Sequence, residues 1–528
     1  MFDIVIRNGT LIDGTGNNRR QADIGITDGK ISAVDSLSEA GTARVIDAAG
    51  KIVAPGFIDV HNHSDGWLIR EKNFTPKTTQ GFTTEVLMAD GIGYAPVNEQ
   101  TAREWLFYLR SLNGLRMSDW TGWETFEEYL EAIDGQTSQN AASHLPYANL
   151  RTIACGFGSG RVDDFQMREI QRQIRIGMEA GAVGVSTGLD YISQCFSTTD
   201  ELAEALAPMS DYGGLYVTHV RYKKGLLPAL REAVEIGRRA KVPVHISHLK
   251  GQTPGQVEEV LNYIDSTARH EVDFSFDVYP YQPGSTMLNY LLPSEIWDAG
   301  PLAVLGRLND PTMRARFADG LEAQRVPVDK LHFAWTISDE NRHLLGKTLA
   351  EYIDESGQSA ADALLDLMVE ERLATLLVFD EGDDVLVEPF LQHDLFMLGT
   401  DGIYMPQGPV HPRVYGSTGR FLGALVRDRQ LLTLEQAIYR MSGFSARRFG
   451  LTDRGELVPG KAADIVVFDA AQVTDPATFE EPHQPTTGFE TVLVNGVPVI
   501  ENSVPGEPAH PPGQFLRRAN KVSQETFQ

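Results

Sequence analysis

The chain opens on short stretches in which aliphatic residues alternate loosely with polar ones. "DIVIRNGTLIDG", "ADIGITDGKISAVD" and "RVIDAAGKIVAPG" are separated by Asn-Gly, Asp-Gly and Gly-Lys turns. Period-two patterning with such turns signals half-buried strands joined by tight connections. The chain ends the same way, in "GELVPGKAADIVVFD" and "ETVLVNGVPVIEN". Helical periodicity is weak at both ends. The termini together predict one small β-domain, a sandwich built from residues 1–54 and 441–528.

Between them the pattern becomes one of compact apolar runs, at 54–60, 83–88, 150–155, 182–187, 215–219, 243–248, 272–278 and 395–400. Amphipathic helices separate several of them. "QMREIQRQIRIGMEAG" carries Ile170, Ile174 and Met178 at i, i+4, i+8, and "LLPALREAVEIGRRA" carries Leu227, Leu230 and Val234 at i, i+3, i+7. Fully apolar strands joined by crossover helices predict an α/β fold, a (β/α)8 TIM-like barrel over residues 55–440, with a doubly wound sheet as the alternative. Two connections are long. Residues 97–149 are rich in aromatics, and residues 283–394 form an insertion before the last strand, placed by this reading as a lid over the C-terminal face. From Pro505 the tail is polar and Pro-rich, and a loosely ordered end is expected.

Composition narrows the partners. In 528 residues, 46 Lys and Arg face 72 Asp and Glu, a net charge of −26. Phosphate backbones require clustered cations, so a nucleic-acid partner is not expected. No apolar stretch approaches the roughly 18 residues of a membrane span, and the N-terminus lacks the basic and apolar regions of a signal peptide. The two cysteines, Cys155 and Cys195, make no disulfide framework, so a cytoplasmic protein is expected. These features leave a small-molecule substrate, with a monomer or small homo-oligomer both open.

Chemistry concentrates at the ends of the predicted strands. "PGFIDVHNHSDG" puts His61 and His63 two residues apart at the end of the first barrel strand. Alternation then turns both imidazoles to one side, with Cα atoms roughly 6.6 Å apart. A lone His-x-His is as readily an ordinary packed pair. Here His219 ends "LYVTHVR", His248 ends "VPVHISHLK" and Asp401 ends "LFMLGTDG". Four imidazoles and a carboxylate at strand ends of one barrel predict a metal site. Nitrogen and carboxylate donors suit Zn²⁺, one ion or two, with Mn²⁺, Fe²⁺ or Co²⁺ open. His245 lies out of phase with His248 and reads as a packed or supporting residue. Asp90, in "GFTTEVLMADGIGYAP", ends the second strand. It is either an Asx-turn residue before Gly91 or a metal ligand able to bridge two ions, and its place beside the first-strand histidines favours the ligand.

These residues resemble the amidohydrolase superfamily, and specifically the D-aminoacylase (N-acyl-D-amino-acid deacylase) family. The resemblance runs through "APGFIDVHNH", "GAVGVSTGLDY", "YVTHVR", "VPVHISHLK", "FDVYPYQPGSTML", "LGTDG", "HPRVYG" and "DRGELVPGKAADIVVFD", nearly the whole chain. It implies a metal-dependent amidase that turns an N-acyl-D-amino acid or related N-acyl amine into carboxylate plus free amine through a metal-activated water. It implies metal ligands at His61, His63, His219, His248 and Asp401, with Asp401 also the general base. Lys250, Tyr281, Ser285 and Arg413 match substrate-holding positions, with Tyr191 a further candidate. Arg413, Lys250 and Tyr281 would clamp the substrate carboxylate, and the aromatic insertion and the lid would form an acyl pocket. Two departures stand out. A carboxylate, Asp90, replaces the family's usual thiolate, and Gly156-Phe157 stands where Gly-His often follows the third strand, which would enlarge an apolar surface near the site.

Three rivals remain. A cyclic-amide hydrolase of the hydantoinase or dihydropyrimidinase kind shares the superfamily. A non-catalytic scaffold would keep the barrel alone. "GVSTG" matches the G-x-S-x-G elbow of serine hydrolases and would make Ser186 a nucleophile, but that motif needs an immediate helix.

Overall fold

The structure is a computed structural model that describes residues 1–38, 40–324 and 326–519. Its central strands are parallel. β1 (Phe57–Asp59), β2 (Phe82–Leu87) and β3 (Asn140–Ser143) lie in one sheet in the order β3-β2-β1. Past His144 the third strand continues as Leu145–Pro146. That segment starts a second sheet through β4 (Gly184–Gly188), β5 (Leu215–His219), β6 (Val244–Ile246), β7 (Phe274–Val278) and β8 (Phe396–Leu398). Every pairing in it is parallel. The outer members also meet: Asn62 bridges Gly402, and the Asp401 amide donates to the His61 carbonyl at 2.7 Å. All six residues of β2 and all five of β4, β5 and β7 are buried, as expected where strands are covered on both faces.

The apolar run at 150–155 is not a strand. It lies in a helix, Tyr147–Cys155, and the third strand precedes it as "NAAS". Small and polar side chains hide that strand from an apolar-run reading. They are satisfied by partners distant in sequence: Asn140 Nδ2 donates to Asp464 Oδ2 at 3.0 Å. The helix Asp164–Glu179 buries Ile170, Ile174 and Met178 as its spacing predicts. In Leu226–Ala240 the inward positions are Leu226, Leu230 and Val234, and Leu227 is only half-buried.

The termini form two sheets. Lys30–Asp35, Asp23–Thr27, Phe2–Arg7 and Thr42–Asp47 make one. The seven-stranded other joins Thr10–Leu11, Arg20–Gln21 and Ile52–Pro55 to Ile465–Phe468, Phe489–Val494, Val497–Glu501 and Val504–Pro505. Ile4, Ile6, Ile24 and Ile26 of the first pack with Val53, Ile465, Val467 and Leu493 of the second in one apolar cluster. The described part of the tail packs against the rest of the protein as far as Ala519; residues 520–528 lie outside the described residues. Phe515 and Leu516 are buried, and Leu516 N donates to the Ala141 carbonyl at 2.7 Å, so the tail covers the free side of β3. The insertion holds an antiparallel sheet of Ser285–Met287, Thr375–Phe379 and Leu331–Thr336. Among the described residues no helix is long and apolar enough to cross a membrane.

A buried ion pair ties β1 to the end of β8. Lys77, 1% exposed, donates to Asp59 Oδ2 at 2.5 Å and to Thr400 Oγ1 at 2.6 Å, while Thr400 N donates to Asp59 Oδ1 at 2.8 Å. Glu85 lies 3.9 Å from the same ammonium. Lys77→Met would leave two buried carboxylates without a cation, and removing one partner of such a pair costs about 3–5 kcal/mol. The expected outcome is a large fall in the urea midpoint with an unchanged m-value. A midpoint equal to that of the parent would show that the network adds nothing.

Candidate metal centre and active site

The predicted histidines and acids converge at the C-terminal ends of the parallel strands. His61 Nε2 lies 3.6 Å from Asp90 Oδ1 and 3.6 Å from Asp401 Oδ1. His63 Nε2 lies 3.6 Å from Asp90 Oδ2 and 3.2 Å from Asp401 Oδ1. On the other side His219 Nδ1 is 3.0 Å from His248 Nε2, which is 3.9 Å from Asp90 Oδ1. Two overlapping groups result, His61-His63-Asp90 and Asp90-His219-His248, each with donor atoms within 4.8 Å of one another. Asp90 belongs to both. His61 Nε2 and Asp90 Oδ1 are buried without a hydrogen-bond partner. Buried polar atoms normally have partners, and imidazole and carboxylate donors converging this way fit a divalent cation of the Zn²⁺ class.

The backbone is held in unusual conformations to achieve this. Asp90, His248 and Asp401 have φ of 59°, 38° and 48°, the left-handed region that non-glycine residues avoid. Asp90 does not close its own turn. The Gly91 amide donates instead to Ser186 Oγ at 3.1 Å, Ser186 Oγ donates to the Met88 carbonyl at 2.6 Å, and Gln194 Nε2 donates to the Asp90 carbonyl at 2.8 Å. The carboxylate is left free for the cluster. Ser186 sits inside β4, wholly buried, and no helix follows it directly. Its hydroxyl pins the Asp90 turn, which removes the nucleophile reading. Gly188 is required beside it, because a Cβ there would stand 2.3 Å from the Asp90 carbonyl oxygen.

A second layer supports the first. Asp277, fully buried at the end of β7, faces His61 Nδ1 at 3.4 Å and His245 Nε2 at 2.9 Å, and accepts the His248 amide at 2.9 Å. His245 is therefore a supporting residue. Among the protein's own charges, burial works against the His61 imidazolium, but Asp277, Asp90 and Asp401 together lift its pKa to about 10. Burial dominates at His248 and depresses it to about 3. Burial also disfavours the Asp401 carboxylate, yet Arg413, His63 and His61 hold its pKa well below the ordinary value. Arg413 Nη1 lies 2.9 Å from Asp401 Oδ2.

A cavity of about 370 Å³ opens on this cluster, lined by Tyr191, Lys250 and Ser285 as well as His63, Asp90, His219, His248 and Asp401. Two candidates are placed differently. Arg413 is wholly buried behind Asp401, with its guanidinium 4.3 Å over the Tyr279 ring, and it does not line the cavity; its Nε, Nη1 and Nη2 have no hydrogen-bond partner among the described residues. The Tyr281 hydroxyl donates to Asp475 at 2.5 Å. Tyr279 lines the cavity and accepts from Lys250 Nζ at 2.5 Å. Alternation past β7 leaves the two tyrosines two residues apart, and only packing decides between them. Phe157 follows the helix Tyr147–Cys155 and packs on Trp105, ring centroids 5.5 Å apart. It does not line the cavity, because the third strand, Asn140–Ser143 continued by Leu145–Pro146, ends before that helix begins. Of the first long connection only Leu112 lines the cavity, while Trp105, Tyr108, Trp123 and Tyr129 are core. Ser285, Thr286, Tyr290 and Phe379 bring the insertion to the cavity wall.

A family model described as the amidohydrolase family matches residues 44–277 and 391–500, and the unmatched stretch between them falls on the insertion. A D-aminoacylase of Alcaligenes xylosoxydans xylosoxydans is 35% identical over 94% of this chain and 94% of its own. The chain belongs to this amidohydrolase family, among the D-aminoacylases. An N-acyl-D-glutamate deacylase of the same organism is 34% identical over 99% of this chain and 98% of its own. The crystal structure of an N-acyl-D-glutamate deacylase from Bordetella bronchiseptica, complexed with zinc and a phosphonate inhibitor that mimics the tetrahedral intermediate, superposes with a TM-score of 0.83. It is 32% identical, over 98% of this chain and 99% of that one. The amidohydrolase thus shares the α/β fold of those enzymes.

Several residues of the amidohydrolase's site escape a sequence reading. Asp277 lies in the apolar run "VDFSFDV" and has the look of a chance polar residue. Asp65, four residues past His61, is buried, accepts Asn113 Nδ2 at 2.7 Å and the Met88 amide at 2.5 Å, and has a pKa raised by burial to about 6. For Asp277 the one signal available was acidity inside a run that would otherwise be core.

Proposed function

We propose that this amidohydrolase is a zinc-dependent deacylase of N-acyl-D-amino acids with neutral side chains. The observation that carries the reading is the pair of ligand groups sharing Asp90, with Asp401 at their mouth and a substrate-sized cavity above. Support comes from the deacylases matched over nearly the full chain. With Asn140–Pro146 taken as one interrupted strand, the parallel strands and the Asn62–Gly402 bridge are those of a closed (β/α)8 barrel over residues 55–440. The two sheets built from residues 2–55 and 465–505 would form the β-sandwich that caps it. Two free cysteines accord with a cytoplasmic location.

His61, His63, Asp90, His219 and His248 would hold the metal, with Asp401 beside them. When bound, zinc supplies Lewis acidity toward the amide carbonyl and lowers the pKa of water. Asp401 does the proton work. Arg413 grips one carboxylate oxygen and leaves the other facing His63 and His61. That oxygen accepts the proton of the attacking water and delivers it to the leaving nitrogen. Lys250 lines the cavity and donates Nζ to the Tyr279 hydroxyl at 2.5 Å and to the Gln282 carbonyl at 2.9 Å. Burial and the Arg413 charge push its pKa well below the ordinary value, and a substrate carboxylate beside it would supply the counter-charge that keeps it protonated.

Charge limits the substrate class. Lys250 is the sole Lys or Arg among the described residues that line the cavity. Arg413, 2.9 Å from Asp401, and Lys223, which donates to the Tyr290 carbonyl at 2.9 Å, do not line it. The remaining wall includes Leu112, Leu226, Phe379 and Ile403. One carboxylate is matched and a second is not, and an unmatched buried charge costs several kcal/mol. Amine release from N-acetyl-D-leucine should exceed that from N-acetyl-D-glutamate by at least about 100-fold in kcat/KM, with N-acetyl-L-leucine inert and all release stopped by a chelator. Equal turnover of the two D-substrates would overturn the side-chain class alone. No chelator-sensitive release from any N-acyl-D-amino acid, with ring opening of a hydantoin instead, would move the assignment to the cyclic-amide hydrolases.

A further inference from the structure

We infer that Asp190 is a positioning residue for the metal ligand His219, and that Tyr290 ties the insertion to that pair. The inference rests on the metal site proposed above. His219 turns Nδ1 to the cluster, 3.0 Å from His248 Nε2. Its other nitrogen, Nε2, lies 3.4 Å from Asp190 Oδ2 and has no other hydrogen-bond partner among the described residues. A neutral imidazole has one proton and one lone pair, so a carboxylate at Nε2 holds the proton there and leaves the Nδ1 lone pair free for a cation. A tilted contact from Tyr191 and an edge contact from Tyr222, with centroids at 4.8 and 4.9 Å, restrict the ring's tilt but cannot select its tautomer.

The placement of Asp190 is built into the fold. It lies two residues past the end of β4, and the residue between, Leu189, donates its amide to the His219 carbonyl at 2.9 Å, which zips the ends of neighbouring strands together. The oxygen that faces His219 also accepts the Tyr290 hydroxyl at 3.1 Å and the Lys223 amide at 3.3 Å. Tyr290 belongs to the insertion and lines the cavity. Lys223, in the turn after β5, donates Nζ to the Tyr290 carbonyl at 2.9 Å and sits 4.3 Å over its ring. One carboxylate oxygen therefore joins a metal ligand, the loop beyond it and the wall of the substrate cavity. The insertion is thus a part of the metal site's support as well as a cover for the cavity.

The test is zinc binding to metal-stripped protein, measured by competition with a chromophoric chelator for the parent, Asp190→Asn and Tyr290→Phe. Asn keeps the size and an acceptor oxygen but not the charge. Loss of an outer partner of a ligating histidine lowers metal affinity about 10–100-fold. Asp190→Asn should show that loss, with the melting temperature of the stripped protein unchanged and the visible spectrum of the cobalt-loaded protein altered. Tyr290→Phe should weaken zinc by a smaller factor and raise KM more than it lowers kcat. Zinc affinity of Asp190→Asn within twofold of the parent would overturn the inference. So would a loss matched by equal destabilisation of the stripped protein, since that is a folding effect. Failure of the metal-site reading itself is seen separately, as a parent protein that binds no zinc.

Discussion

Asp401→Asn is expected to lower kcat by about 10²–10⁴-fold, the range that a positioned acid-base group contributes, with KM little changed and zinc still bound. The substitution keeps the shape of the side chain and its tolerance of the left-handed conformation at φ 48°. It removes the charge that accepts the proton. It also strips Arg413, wholly buried, of its counter-ion, and an uncompensated buried charge costs about 3–5 kcal/mol. That cost has a pH signature. The folded pKa of Asp401 is depressed, chiefly by Arg413 against the opposing effect of burial. Its ionised form therefore stabilises the fold above the unfolded carboxylate pKa of about 4, and the contribution is lost as pH falls toward the folded value. The stability gap between parent and variant should be wide at pH 7 and narrow below about pH 4. Turnover within tenfold of the parent would refute Asp401 as the base. A gap that widens in acid would refute its pairing with Arg413.

Asp90→Asn is the second large effect. Asp90 is the one residue common to both ligand groups, and its φ of 59° is one that Asn tolerates nearly as well as Asp. Alanine would confound the result with backbone strain; asparagine isolates the charge. Losing an outer support of a metal ligand already costs about 10–100-fold in affinity, so losing an anionic donor of the cluster should exceed that. Zinc titration of the stripped variant should show fewer equivalents retained through gel filtration, with activity falling in parallel and partly restored by excess zinc. An isotherm superimposable on the parent's would mean that Asp90 is a turn residue only. Asp90→Cys places a softer thiolate at the same point, and retention of tight zinc binding by that variant would show that the position calls for an anion rather than for a carboxylate.

The histidines could be read from the chain because a strand end is a local feature. His61, His63, His219 and His248 each terminate an apolar run, and a parallel fold puts such termini on one face. Asp401 and Asp90 could be read for the same reason. The second layer could not. Asp277 meets His61 and His245, and Asp190 meets His219 and Tyr290, through pairings across strands or across the insertion. No local pattern encodes such pairings. The third strand was misplaced because "NAAS" lacks the apolar signal, and its partners, Asp464 and the tail at Phe515, lie more than 300 residues away. That misplacement carried Phe157 with it.

By itself the sequence determined the parallel α/β plan, the joining of both termini in β-structure, the identity of the converging donors and the acidic character of the chain. These follow from periodicity and composition, which are properties of neighbouring residues. Only the tertiary structure decided which of Tyr279 and Tyr281 faces the cavity, that Arg413 lies beside Asp401, that Ser186 pins a turn, and that the insertion reaches His219 through Asp190. Each of those is settled by which long-range partner satisfies a buried polar group, and a buried group takes the partner that packing brings within hydrogen-bond reach.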